Sequence, residues 1–159
     1  MDREAALAGF EAARVEWEAA FVRVPDAALT YLKPGDDYAL GGLLVHVNWV
    51  LDRYLHVLEG KPVVDFSPVS SDAGRGLTPA GRQRSLQEMD RLHDAVRRLV
   101  AGLDEAEWRR QTPVVYGPGE DPYATSPEDL LTWLTEHYRE HVAQCGDLVG
   151  EWSATRRSA

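Results

Sequence analysis

The sequence predicts an all-α protein, a four-helix bundle. Three observations predict it: four segments in which apolar residues recur at three-, four- and seven-residue spacing, no convincing run of strand-like alternation, and breaks rich in glycine and proline between the segments.

Residues 2–23 form the first helix, with Leu7, Phe10, Trp17, Phe21 and Val24 as its stripe. Pro25 and Pro34 interrupt the period, and Asp36 or Asp37 is a suitable N-cap for the second helix. That helix, YALGGLLVHVNWVLDRYLHVLEG, is apolar around most of its circumference and belongs at the centre of the core; Gly60 and Pro62 end it. A long connection without helical period follows. Thr78 and Pro79 then restart the chain as cap and first-turn proline for the third helix, which reaches about Gly102 on a stripe of Leu86, Met89, Leu92, Val96, Leu99 and Leu103.

The segment LDEAEWRR adds a short helical turn, and Val114 to Tyr116 a short extended piece in an irregular stretch. The fourth helix opens on SPED, with Ser126 as N-cap, Pro127 in the first turn and Asp129 completing a capping box. Its stripe is Leu130, Leu134, His137, His141, Cys145, Leu148 and Trp152. The link between the second and third helices is long enough for a crossover that returns along the bundle.

A chain of 159 residues, 44% hydrophobic and 27% charged, is one ordinary soluble domain, expected over residues 1–153 with a flexible tail at 154–159. The net charge of −9, from 26 acidic and 17 basic side chains, repels nucleic acid and anionic lipid, so neither is an expected partner. No segment approaches the roughly 18 apolar residues of a membrane span. The N-terminus lacks the pattern of a signal peptide, and Cys145 is the single cysteine, so a cytoplasmic location is expected.

His137 and His141 stand four apart on the core stripe of the fourth helix, where both imidazoles can reach one ion. The plain alternative is a pair of core histidines, each with a satisfied hydrogen bond. A third ligand is available in His46, within the most apolar stretch of the second helix. Three histidines from two facing helices would make a neutral set that leaves coordination positions free, as a catalytic site requires. His56 lies ten positions beyond His46, about 15 Å along an ideal helix, and cannot share the ion. His56 and His93 are read as structural or surface residues. Cys145 continues the row of His137 and His141 and is read as a small buried hydrophobe, and Glu136 and Glu140 point away from the seam.

The LLVHVNW setting of His46 and the run HYREHVAQ from His137 resemble the DinB superfamily, also called DinB/YfiT-like metalloenzymes. The resemblance covers nearly the whole chain in helix order and length. It implies that His46, His137 and His141 form a metal triad and that Gln144 belongs to the motif, while Cys145 falls where relatives often carry an aliphatic residue. It also implies an up-down-down-up bundle with a long crossover between helices two and three, a divalent metal (zinc or nickel foremost) and a homodimer. Characterised relatives include thiol S-transferases using bacillithiol and isomerases using mycothiol.

The function expected is therefore that of a metal-dependent enzyme, S-transferase-like or hydrolase-like, acting on a small molecule in detoxification or stress response. The alternatives are a non-catalytic bundle that binds metal or a small molecule, and a helical scaffold without metal. The loops at 60–78 and 111–125 are expected to shape the pocket.

Overall fold

The computed structural model describes residues 1–66 and 77–158. Among these the chain is predominantly helical, with helices α1 (Arg3–Val22), α2 (Leu40–Tyr54), α3 (Pro79–Gly102), α4 (Glu105–Trp108) and α5 (Pro127–Arg157). The strands β1 (Thr112–Val114) and β2 (Tyr123–Thr125) pair antiparallel. The four long helices share one apolar core.

Local chemistry sets most of the ends. The Asp2 carboxylate accepts from the Ala5 amide, Thr78 from Gly81, and Ser126 and Asp129 close the expected capping box. The turn foreseen at LDEAEWRR is α4, fixed by a second capping box between Asp104 and Glu107. The start of α2 differs from expectation: neither Asp36 nor Asp37 caps it, and helix begins at Leu40 after Ala39. Its first amides bond main chain instead, Leu40 to the Tyr31 carbonyl at 2.9 Å and Gly41 to the Leu29 carbonyl at 2.8 Å. Only glycine fits at position 41, because a Cβ there would stand 2.9 Å from the Leu29 oxygen and 2.8 Å from the Leu77 Cβ. At its other end α2 tightens into a 3-10 turn, Leu55–Glu59, closed by Gly60 at φ 74°.

The extended piece is displaced by two residues from the sequence expectation, at 112–114, and gains a partner in residues 123–125. Val63 adds to it, donating to the Pro113 carbonyl and accepting from the Val115 amide. At the far end, α5 continues through Arg157, so residues 154–157, expected as a flexible tail, are helical.

Contacts give the direction of each helix. Along α1 and α5 they advance in the same sense, from the Met1 amino group against Glu128, past Phe10 beside Tyr138, to Trp17 beside His141. Along α2 and α5 they advance in opposite senses, His46 meeting His141 while Tyr54 meets Trp133. Helix α3 opposes α1, with Arg82 on the Val24 carbonyl and His93 on Glu11, and it follows α2, with Ser85 beside Asn48. Residues 67–76 of the expected crossover lie outside the described residues.

Two glycines separate conformational cost from close approach. Gly146 is exposed within α5 and an added Cβ meets nothing within 4 Å, so Gly146→Ala is expected to raise stability by about 0.5–1 kcal/mol. In Gly41→Ala the same gain is outweighed by overpacking against Leu29 and Leu77, a cost of about 1–3 kcal/mol. Urea unfolding of both variants checks the pair, and a stabilised Gly41→Ala protein would overturn the close-approach account.

Candidate metal centre

The seam between α2 and α5 is apolar because ten of the fifteen residues of α2 are buried, Leu43, Leu44, Val47, Val50 and Leu51 among them. Into it α2 projects His46, while α5 projects His137 and His141 from adjacent turns. The structure brings together the three histidines singled out from the sequence. Nε2 of His137 lies 3.0 Å from Nε2 of His141 and 3.3 Å from Nε2 of His46. The three can hold a metal ion, since one ligand atom from each lies within 4.8 Å of the others.

Each ring is held in place. His141 donates from Nδ1 to the Gln144 Oε1 at 2.7 Å, which fixes its tautomer and leaves Nε2 bare. His137 stacks on Trp133, one turn earlier on α5, with centroids 5.2 Å apart and planes 15° apart. Tyr38 covers His46 at 5.1 Å, and Trp17 of α1 meets His141 edge-on. Burial, helped by the neighbouring imidazoles, lowers the pKa of His46 to about 4 and of His137 to about 3. His141 is lowered too, by burial against the opposing Gln144 hydrogen bond. All three are neutral at pH 7.

Neutral rings carry one N–H each, and three converging Nε2 atoms cannot all be satisfied by one another. The His46 Nδ1 is also buried without a partner. A cation among the Nε2 atoms would use every lone pair. The spacing fits, since two nitrogens about 2.1 Å from one tetrahedral ion stand roughly 3.4 Å apart. Three protein ligands would leave a position open, and a cavity of about 230 Å³ adjoins His46 and His137, walled by Tyr38, Trp49, Tyr54, Tyr116 and Trp133. Phe66 and Tyr116, from the two loops expected to shape the pocket, both line it; the part of the first loop at 67–76 lies outside the described residues. A larger cleft of about 750 Å³ shares no residue with the triad and is walled by charges that pair with each other, such as Met1 with Glu128 and Glu105 with Arg109.

Cys145 is buried one turn beyond His141 and takes no part in the cluster; burial pushes its thiol up to about 11. Glu136 and Glu140 are exposed, and His56 is a half-exposed partner of Glu59. His93 is more than a flanking residue. It is fully buried, stacked on Phe10 at 4.5 Å, and bonded to Glu11 at 3.0 Å and the Tyr138 hydroxyl at 2.7 Å. The aromatic walls were also missed by the sequence reading. For Trp133 a signal existed, its place four residues before His137; for Tyr38, outside any helix, none did.

The sequence profile of the DinB superfamily matches residues 9–145, a span that includes all three histidines and Gln144. No curated protein and no solved structure gives a match.

Burial lowers the pKa of His93 from 6.5 to about 4, outweighing Glu11, which raises it. Between those values the unfolded chain binds a proton that the native state refuses, so stability falls as the pH drops from 6.5 towards 4 and levels off below. The stability gap between the native chain and His93→Gln, both metal-free, is therefore expected to shrink by about 1–2 kcal/mol between pH 7 and pH 5. A gap that does not change with pH would count against a neutral buried His93.

Proposed function

The chain belongs to the DinB superfamily, and from that premise we propose that it is a metal-dependent enzyme in which His46, His137 and His141 hold a divalent cation. The observation that carries the reading is the convergence of three neutral, ring-locked Nε2 atoms beside a cavity. Imidazole sets suit zinc, nickel, iron or copper, and we propose zinc or nickel. The bound cation would supply Lewis acidity, lowering the pKa of a thiol or water at the open position.

The chain's own residues orient and exclude. Gln144 keeps the His141 proton on Nδ1, and Trp133 holds the plane of His137. The aromatic walls displace water, which strengthens electrostatic interactions inside the cavity. No described residue lining the cavity is a carboxylate, so none there is placed to act as a general base for water. A thiol needs less help, and thiol transfer to a small electrophile, with bacillithiol or mycothiol as co-substrate, is the chemistry we favour over hydrolysis. The setting proposed is a cytoplasmic detoxification or stress enzyme, acting as a homodimer.

Untagged protein is expected to retain a stoichiometric divalent ion that His137→Ala loses, as read by elemental analysis. Metal at 100 times its Kd should stabilise the native chain by about 2.7 kcal/mol and leave His137→Ala unchanged. Equal metal content in the two proteins would remove the triad as the site. Thiol consumption, measured with bacillithiol, mycothiol or glutathione against a panel of electrophiles, is expected to require the metal. Complete inactivity with bound metal would favour a binding protein.

A further inference from the structure

The cavity beside the histidines is walled almost wholly by rings. Trp133 stands 4.9 Å from Tyr116 and 5.3 Å from Tyr54, centroid to centroid, and stacks on His137 at 5.2 Å. Tyr38 lies 5.1 Å from His46, and Trp49 and Phe66 complete the aromatic wall. Val50 is the remaining described lining residue, so six aromatic side chains, two imidazoles and one isopropyl group surround about 230 Å³. An apolar cavity of about 150 Å³ takes benzene, while drug-sized ligands need upwards of about 300 Å³. The space here suits one ring with a short substituent.

Two phenols of this wall spend their protons on the fold. The Tyr54 hydroxyl donates to the Val115 carbonyl at 3.1 Å. The Tyr116 hydroxyl lies 3.0 Å from Thr125 Oγ1, and because that oxygen donates to the Tyr123 carbonyl, the tyrosine is the donor. With their hydroxyls engaged, both side chains offer the cavity their rings, whose faces are negative and disfavour an anion. Such faces attract cations, but a cation already serves them from the side of the outer cleft: the Arg53 Cζ stands 5.6 Å from the Trp49 ring, 5.5 Å from Tyr54 and 5.7 Å from Phe66. A cationic ligand would meet that charge and, with metal bound, a second one.

We propose that this cavity binds the electrophilic substrate, and that the substrate is a neutral compound built on a single aromatic ring. The ring packs among the wall rings, and one short uncharged arm reaches toward the histidines. The direction of the arm rests on the reading of the triad as the reaction centre; the recognition of the ring does not.

Calorimetric titration with benzyl alcohol, its saturated counterpart cyclohexylmethanol, and the charged rings benzoate and benzylammonium tests the assignment. Chelator-stripped protein separates the cavity from the ion. There benzyl alcohol is expected to bind about threefold or more tightly than cyclohexylmethanol, and about tenfold or more tightly than either charged ring. Val50→Phe, which fills the cavity, should remove benzyl alcohol binding and leave the metal content of loaded protein unchanged. Tyr116→Leu, which removes one ring, should narrow the gap between benzyl alcohol and cyclohexylmethanol. In the native protein, no binding of benzyl alcohol, equal affinity for its saturated counterpart, or tighter binding of a charged ring would each overturn the proposal without any variant. So would benzyl alcohol binding that survives Val50→Phe. A protein that holds no metal but selects the neutral ring would remove the triad as reaction centre and leave the ring site standing; one that holds metal and ignores the ring would do the reverse.

Discussion

The constraint on which the structure turns is the gathering of three uncharged imidazoles inside a seam that is otherwise apolar. A buried nitrogen without a partner costs about 1–3 kcal/mol, so the arrangement persists only if the surrounding packing overrides it. That packing is what α2 provides. Ten of its fifteen residues are buried, and Gly41 lets its first turn press on the Leu29 main chain and Leu77.

The rotation of α5 about its own axis is fixed by two consecutive residues. His137 turns toward α2 and His46, while Tyr138, about 100° round the helix, turns toward α1 and α3. There the hydroxyl meets His93, which also bonds Glu11, so one polar chain ties three helices together inside the core. A small rotation of α5 would break this chain and the histidine cluster at once. Polar pairing of this kind specifies geometry more sharply than apolar packing, which tolerates sliding. The buried His93 network thus helps aim His137 without touching the cavity.

What could be read from the sequence was what is encoded locally. The capping box at Ser126, the Thr78 cap and the apolar periods place three helix starts or stripes, because each depends on residues within one turn. The start of α2 was not legible, since its amides are satisfied by main-chain carbonyls and carbonyls leave no mark on residue identity. Of the strands only one was legible, as an extended piece two residues out of place, because three residues are too short to show a period. The histidine pair was legible from its spacing and His46 from its apolar flanks. The burial of His93 was not, because its partners come from α1 and α5, 82 and 45 positions away in the chain. The aromatic walls were hidden for the same reason, being assembled from α2, α5 and three loops.

The charge of the ligand set bears on what the cavity can accept. Three neutral histidines leave a divalent ion with its full charge, whereas carboxylate or thiolate ligands would cancel part of it. Cys145 does not alter this, because burial keeps its thiol protonated and it lies outside the cluster. The described walls add no negative side chain, so an ion held there would face a cavity of low polarizability with nothing to offset it. Such a site would favour an anionic or ionisable partner, of which a thiol that yields its proton is the simplest.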